Sequence, residues 1–222
     1  MTTHLDTAPM GITAPPQPAG LRARRYALVA MPVLAGLCLT LAAAMDPAAG
    51  ISGDTMFQEY AEHPDPLQIK SLAYHWAYAF WIGIALVVAS LVRHRGVWLA
   101  NIAAVLAFAG MTTLPGMLFI DWIDSAAGQL WGTEGVNALH DRMEEISWGM
   151  PYFQLPGFLG FALALPLAAF ALQRAGLVRW YAPAATLGAL LAFMVSNATW
   201  PGCVVATACF VVLSVELWRG TR

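Results

Sequence analysis

Charge is what this sequence has least of. Asp, Glu, Lys and Arg make up 11% of its 222 residues and hydrophobic side chains 59%, against roughly 25% charged in a soluble domain. So few polar groups cannot cover a monomer in water, which excludes a soluble globular fold. Cysteine is scarce too. Cys38, Cys203 and Cys209 all fall in apolar runs, with no CxxC pair and no Cys/His spacing suited to zinc. They read as small hydrophobic side chains. No basic patch interleaves with aromatics, so nucleic acid is not expected as a partner. Neither a resident metal nor a cofactor is expected, since no HExxH-like spacing occurs.

The few charges present are sorted along the chain. Nine of eleven Lys/Arg residues fall in four short segments: Arg22, Arg24 and Arg25; Arg93 and Arg95; Arg174 and Arg179; Arg219 and Arg222. Eleven of thirteen acids fall in two others, Asp46 to Asp65 and Asp121 to Glu145. Basic loops stay in the cytoplasm of multi-pass membrane proteins, so the acidic loops are expected outside. The net charge of -2 says little about partners when charge is divided by membrane side.

Six apolar stretches near 26–45, 71–92, 97–120, 148–172, 180–196 and 201–218 are each about long enough to cross the hydrocarbon core as a helix. The expected fold is therefore all-α: a polytopic bundle of six transmembrane helices in the cell membrane, with both termini cytoplasmic. Residues 1–21, rich in Pro, Ala and Thr, read as a disordered cytoplasmic tail, leaving 22–222 as one six-helix domain. The Arg-rich start followed by an apolar run imitates a signal peptide, but the run is longer than about 7–15 residues and more spans follow. Asn197-Ala198-Thr199 matches a glycosylation sequon, a short and common pattern.

Small residues recur every fourth position along the fifth span, Ala184, Gly188, Ala192 and Ser196, which lets a neighbouring backbone approach. Pro32, Pro115, Pro156, Pro166 and Pro183 interrupt spans, each freeing a backbone carbonyl. Leu114-Pro115-Gly116 and Leu155-Pro156-Gly157 fall in the outer parts of their spans, where two readings stand: bends that open a cavity between helices, or merely the higher frequency of Pro and Gly in membrane helices. No internal repeat of the transporter kind is evident.

Ionisable groups inside hydrocarbon mark function by default, and here they are sparse. Glu216 lies a turn from the cytoplasmic end, three residues before Arg219, and reads as an interfacial pair. Asn101 reaches the same interface. Gln154 lies on the outer side between two prolines. No chain of buried charges crosses the membrane, which argues against a proton pump or ion-coupled carrier.

The outer side is richer. Asp121 and Asp124 are three apart and share a helical face. A short amphipathic helix is expected after Gly132, with Val136, Leu139, Met143 and Ile146 as its apolar stripe. His140 and Glu144 flank that stripe and face the bundle rim. His75, Trp76 and Trp81 at the start of span two, with Trp122, put aromatics in the same layer. Two readings stand for these aromatics: an interfacial belt, or the lining of a pocket. A carboxylic acid in such a dry, aromatic-walled site has a raised pKa and would protonate an alkene or epoxide, the aromatic faces stabilising the cation. Asp121, Asp124, His140 and Glu144 are thus the candidate catalytic residues. His75, Trp76, Trp81, Trp122 and Gln154 are the candidate substrate-binding ones.

Between Tyr60 and Asp124 the chain carries His63-Pro64-x-x-x-Gln68 before span two, Arg93-His94-Arg95-Gly96 after it, and Leu114-Pro115-Gly116 with Asp121 in span three. On these residues it resembles uncharacterised bacterial six-span integral membrane proteins, which implies an architecture and no activity. In size, span count and its mixture of acids and aromatics it also resembles small membrane-embedded terpene cyclases, at the level of architecture alone. That resemblance implies a cyclase or isomerase acting on a prenyl- or lipid-like substrate. The competing expectation is a non-catalytic transport, resistance or accessory subunit. Membrane lipid is a partner under either; protein partners are unknown.

Overall fold

The computed structural model describes residues 19–220, and every regular element among them is helical. The elements are α1 (Ala19–Met45), α2 (Asp54–Glu62), α3 (Pro64–Leu91), α4 (Val97–Ile146), α5 (Met150–Arg174), α6 (Tyr181–Val195) and α7 (Trp200–Gly220). Of the expected N-terminal tail, residues 1–18 lie outside the described residues, and the last three already belong to α1. Five helices, α1, α3, α4, α5 and α7, are long and apolar enough to cross a membrane. The helical membrane bundle expected from composition is the observed fold.

Helix ends follow local chemistry. Pro64 opens α3, where its missing N–H costs nothing, and Asp65 sits in the first turn. At the end of α5, Gly176 takes φ 74°. Its N–H bonds to the Gln173 carbonyl and that of Leu177 to the Leu172 carbonyl, the paired closure of a Schellman motif. The end of α6 repeats the device with Asn197 at φ 50°: Asn197 N–H reaches the Met194 carbonyl and Ala198 N–H the Phe193 carbonyl. Asn197 thus serves as a left-handed helix cap.

The bundle keeps its charges at opposite ends. At one end Arg25 donates to the Trp218 carbonyl at 3.2 Å, Tyr181 donates to Glu216 at 2.7 Å, and Gly96 abuts the backbone of Ala171. Both described chain ends therefore lie at this basic end. At the other end Lys70 joins Asp46 and Asp121, and Ser196 abuts Gly202. The helix α6 runs back between the ends against α7, with Gly188 near Cys209 and Ser196 against Gly202; this is the small-residue face seen in the sequence. Its 15 residues rise only about 22 Å, short of a hydrocarbon core of roughly 30 Å.

Two features position the acidic end. Gly110 and Gly160 meet so closely that a Cβ on Gly160 would strike the Leu106 carbonyl, drawing α4 and α5 together. Near its far end α4 breaks at Gly132, whose φ 70° and ψ -175° are non-helical. This is the boundary expected before the amphipathic helix. The remaining turns fold back over α2, burying Val136 and Phe57 together. No helix was expected between Asp46 and Asp65, where α2 lies.

Candidate functional site

The site is built from the buried and exposed faces of α3 and α4. On α3 the buried positions include Lys70, Tyr74, Ala77, Tyr78, Trp81, Ile84, Ala85 and Val88, spaced as one stripe of a 3.6-residue helix. Leu72, His75 and Trp76 fall on the opposite face and are exposed.

That register separates residues the sequence grouped together. Trp81, 4% exposed, is in the core between Phe161 and Phe210, with ring centroids 5.0 and 5.9 Å away. It does not line a site in the acidic layer. Trp76 is 52% exposed on the bundle surface, next to His75 and Phe80. Glu144 is exposed beyond the last well-buried turn of its segment, because Ile146 leaves the core there. Gln154 is half-buried on α5, outside the cavities described below. Trp131, Trp148, Tyr152 and Trp200 are all exposed at the acidic end, as an interfacial belt requires.

Two candidates do come together on α4. Asp124, 3% exposed, accepts a hydrogen bond from His140 Nε2 at 2.7 Å, and the imidazole packs against Phe57 at 5.3 Å. A buried carboxylate that accepts from a half-exposed imidazole orients its ring and sets Nε2 as a protonated nitrogen. Asp121 points the other way. Its Oδ2 lies 3.1 Å from Lys70 Nζ.

Lys70 is the centre the sequence reading missed. Only 6% exposed, its ammonium lies 3.1 Å from Asp46 Oδ2 and 2.7 Å from the Tyr60 hydroxyl. It also sits 4.6 Å from the Tyr60 ring centroid. A buried ammonium has three donors to satisfy, and these three oxygens from α1's end, α2 and α4 satisfy them. Burial, and then the Asp121 charge, push the Tyr60 phenol up to about 12. A signal was present: Lys70 and Arg142 are the only cations among the acids of the two acidic segments and their borders.

Beside this cluster a cavity of about 500 Å³ opens between α3 and α4, lined by Gln68, Ser71, Leu72, His75, Pro115, Gly116, Leu118, Phe119 and Trp122. Trp122 Nε1 donates to Ser71 Oγ at 2.9 Å, closing the groove's inner wall. A Cβ on Gly116 would meet nothing within 4 Å. The Pro115-Gly116 step expected to open a cavity does line one. Its counterpart does not, because Leu114 fills the space over Gly157. A more polar hollow of about 230 Å³ shares Gln68 and Trp122 and adds Ser125 and Gln129. No group of three or more His, Cys, Asp or Glu among the described residues is arranged to hold a metal.

Fold and site together define a polytopic helical membrane protein with a side groove at its acidic end. Comparison with known proteins adds no relative: no family model, no curated sequence and no solved structure matches the chain.

Proposed function

We propose that the protein is a six-crossing membrane protein, both termini cytoplasmic, that binds a lipid-like amphiphile in the groove between α3 and α4. The observation that carries this is the grading of the groove. Leu72, Leu118 and Phe119 offer a tail-sized apolar wall, while Gln68 and Gln129 line the adjoining hollow. An amphiphile needs this order, polar head towards water and chain towards the bilayer interior. His75 and Trp122, both expected from sequence to contact substrate, lie on its wall. Reading α6 as the sixth crossing, with local thinning of the bilayer around its short span, keeps the basic loops on one side.

The test is photolabelling of the purified protein in lipid discs by a diazirine-bearing prenyl alcohol. Gly116→Leu adds bulk where space is open and raises helix propensity, so the fold survives while the groove fills. Labelling is expected to fall about tenfold, a loss of roughly 1.4 kcal/mol of binding. Equal labelling of variant and parent sinks the proposal.

A second reading makes the protein an acid-initiated cyclase or isomerase. The Asp124–His140 pair supports it, since a histidine oriented by a carboxylate is a common general acid-base group. Asp121 is the weaker acid candidate, because Lys70 already occupies it and an alkene must be protonated by a group holding its own proton. Conversion of isoprenoid substrates to isomers by the parent, and none by His140→Gln, is the expected outcome under this reading.

A further inference from the structure

The basic end of the bundle carries arginines of two kinds. Arg25 donates to the Trp218 carbonyl and lies 4.5 Å from that ring's centroid. Arg219 pairs with Glu216 at 3.1 Å, and Arg179 contacts Tyr181. These cations are matched within the protein. Arg93, Arg95 and Arg174 are not: none takes part in an ion pair or hydrogen bond described for residues 19–220. They converge all the same. Arg95 and Arg174 line a cavity of about 600 Å³ with His94, Gly96, Trp98 and Leu99. An adjoining hollow of about 450 Å³ is lined by Arg93, His94, Arg95 and Arg174.

What lies below this pocket identifies the ligand. Trp98 is 80% exposed, and Ile102, Val105 and Phe108 continue the exposed surface of α4 at spacings of four, three and three. That is one helical face, running from the arginines towards the middle of the bundle. Asn101 is exposed on this face one turn in, a polar group among apolar ones. We infer that this pocket binds the phosphate of an anionic glycerophospholipid between Arg95 and Arg174, with an acyl chain lying along α4.

Guanidinium forks match phosphate oxygens bidentately, and basic pockets between membrane helices suit anionic headgroups. Asn101 stands at the depth of the glycerol esters and donates to one of them. A free phosphate would satisfy the arginines and leave the apolar face without a role; a neutral lipid would do the reverse.

The test is native mass spectrometry of the detergent-purified protein with added phosphatidylglycerol, against phosphatidylcholine and inorganic phosphate. One bound phosphatidylglycerol is expected to survive detergent removal, with at least tenfold preference over phosphatidylcholine. Arg95→Gln/Arg174→Gln should abolish that preference. Arg22→Gln/Arg24→Gln removes equal charge from α1 and should leave it intact. Asn101→Leu, which keeps every charge, should weaken retention a few-fold. Equal loss in both double variants means diffuse charge attraction and overturns the site. Displacement of the lipid by millimolar phosphate shows an anion pocket without lipid specificity and overturns it too. All of these exposed side chains can be replaced without disturbing the core.

Discussion

Lys70 Nζ and Asp121 Oδ2 stand 3.1 Å apart, linking α3 and α4 at the acidic end of the bundle, beside the Trp122 wall of the groove. The same ammonium reaches Asp46 at the end of α1 and Tyr60 on α2. One cation therefore ties four segments of the acidic end. Removing it would leave two partly buried carboxylates facing each other.

Lys70→Met keeps the length of the side chain and removes its charge. Breaking a buried ion pair from one side costs about 3–5 kcal/mol; water reaching the partly exposed aspartates lowers the expectation to about 2–3 kcal/mol. Thermal unfolding of the detergent-solubilised protein measures it. Asp46→Asn in the Lys70→Met background should recover part of the loss, because the repulsion it relieves is gone. No recovery means the aspartates are not coupled through Lys70.

Tyr60 supplies a pH signature of the same cluster. Its phenol is pushed up to about 12, by burial first and then by Asp121, so the folded state resists its ionisation. The contribution is fully present below the ordinary tyrosine value of 10.0 and is lost as pH climbs from there through 12. Tyrosinate absorbance of the parent minus that of Tyr60→Phe should rise with a midpoint near 12 rather than 10. A midpoint near 10 would place the phenol in water.

The hydropathy and charge sorting of the sequence made the bundle legible. Five of the apolar stretches coincide with helices of spanning length, and the break at Gly132 follows from turn chemistry; the helical wheel turned His140 towards the bundle, but its pairing with Asp124 shows only in tertiary contact. Lys70 was overlooked because a single lysine near a span's end reads as an interfacial charge; only tertiary contact shows Asp46, Tyr60 and Asp121 converging on it. Trp81 was misplaced for a related reason. Grouping aromatics by depth ignores which face of α3 each occupies, and that face sends Trp81 inward and His75 outward. Glu216 pairs with Arg219 as expected, at 3.1 Å, but its carboxylate is buried at 2% exposure and is also held by Tyr181.

The short α6 gives the topology a sharp test. In a background lacking Cys38, Cys203 and Cys209, Thr199→Cys sits past the end of α6 and Ala175→Cys past the end of α5. An impermeant maleimide applied to intact cells should label Thr199→Cys and spare Ala175→Cys until the membrane is opened. Labelling of both from one side means that α6 does not cross.

Gly132 connects backbone geometry to the Asp124–His140 pair. Its φ 70° and ψ -175° lie in a region open essentially to glycine alone, where other residues cost about 1–3 kcal/mol. Gly132→Ala leaves space untouched, since a Cβ there meets nothing within 4 Å, so any effect is conformational. The expected result is a loss of about 1–3 kcal/mol in thermal unfolding, together with loss of the His140–Asp124 hydrogen bond, read by NMR as faster exchange of the His140 ring N–H with water. The second readout matters because the segment after Gly132 carries His140 to Asp124 from 16 residues away. If the hinge opens, the imidazole loses its carboxylate partner and its ring N–H is left to water. Ring N–H exchange identical in parent and variant would show that the hinge does not position His140.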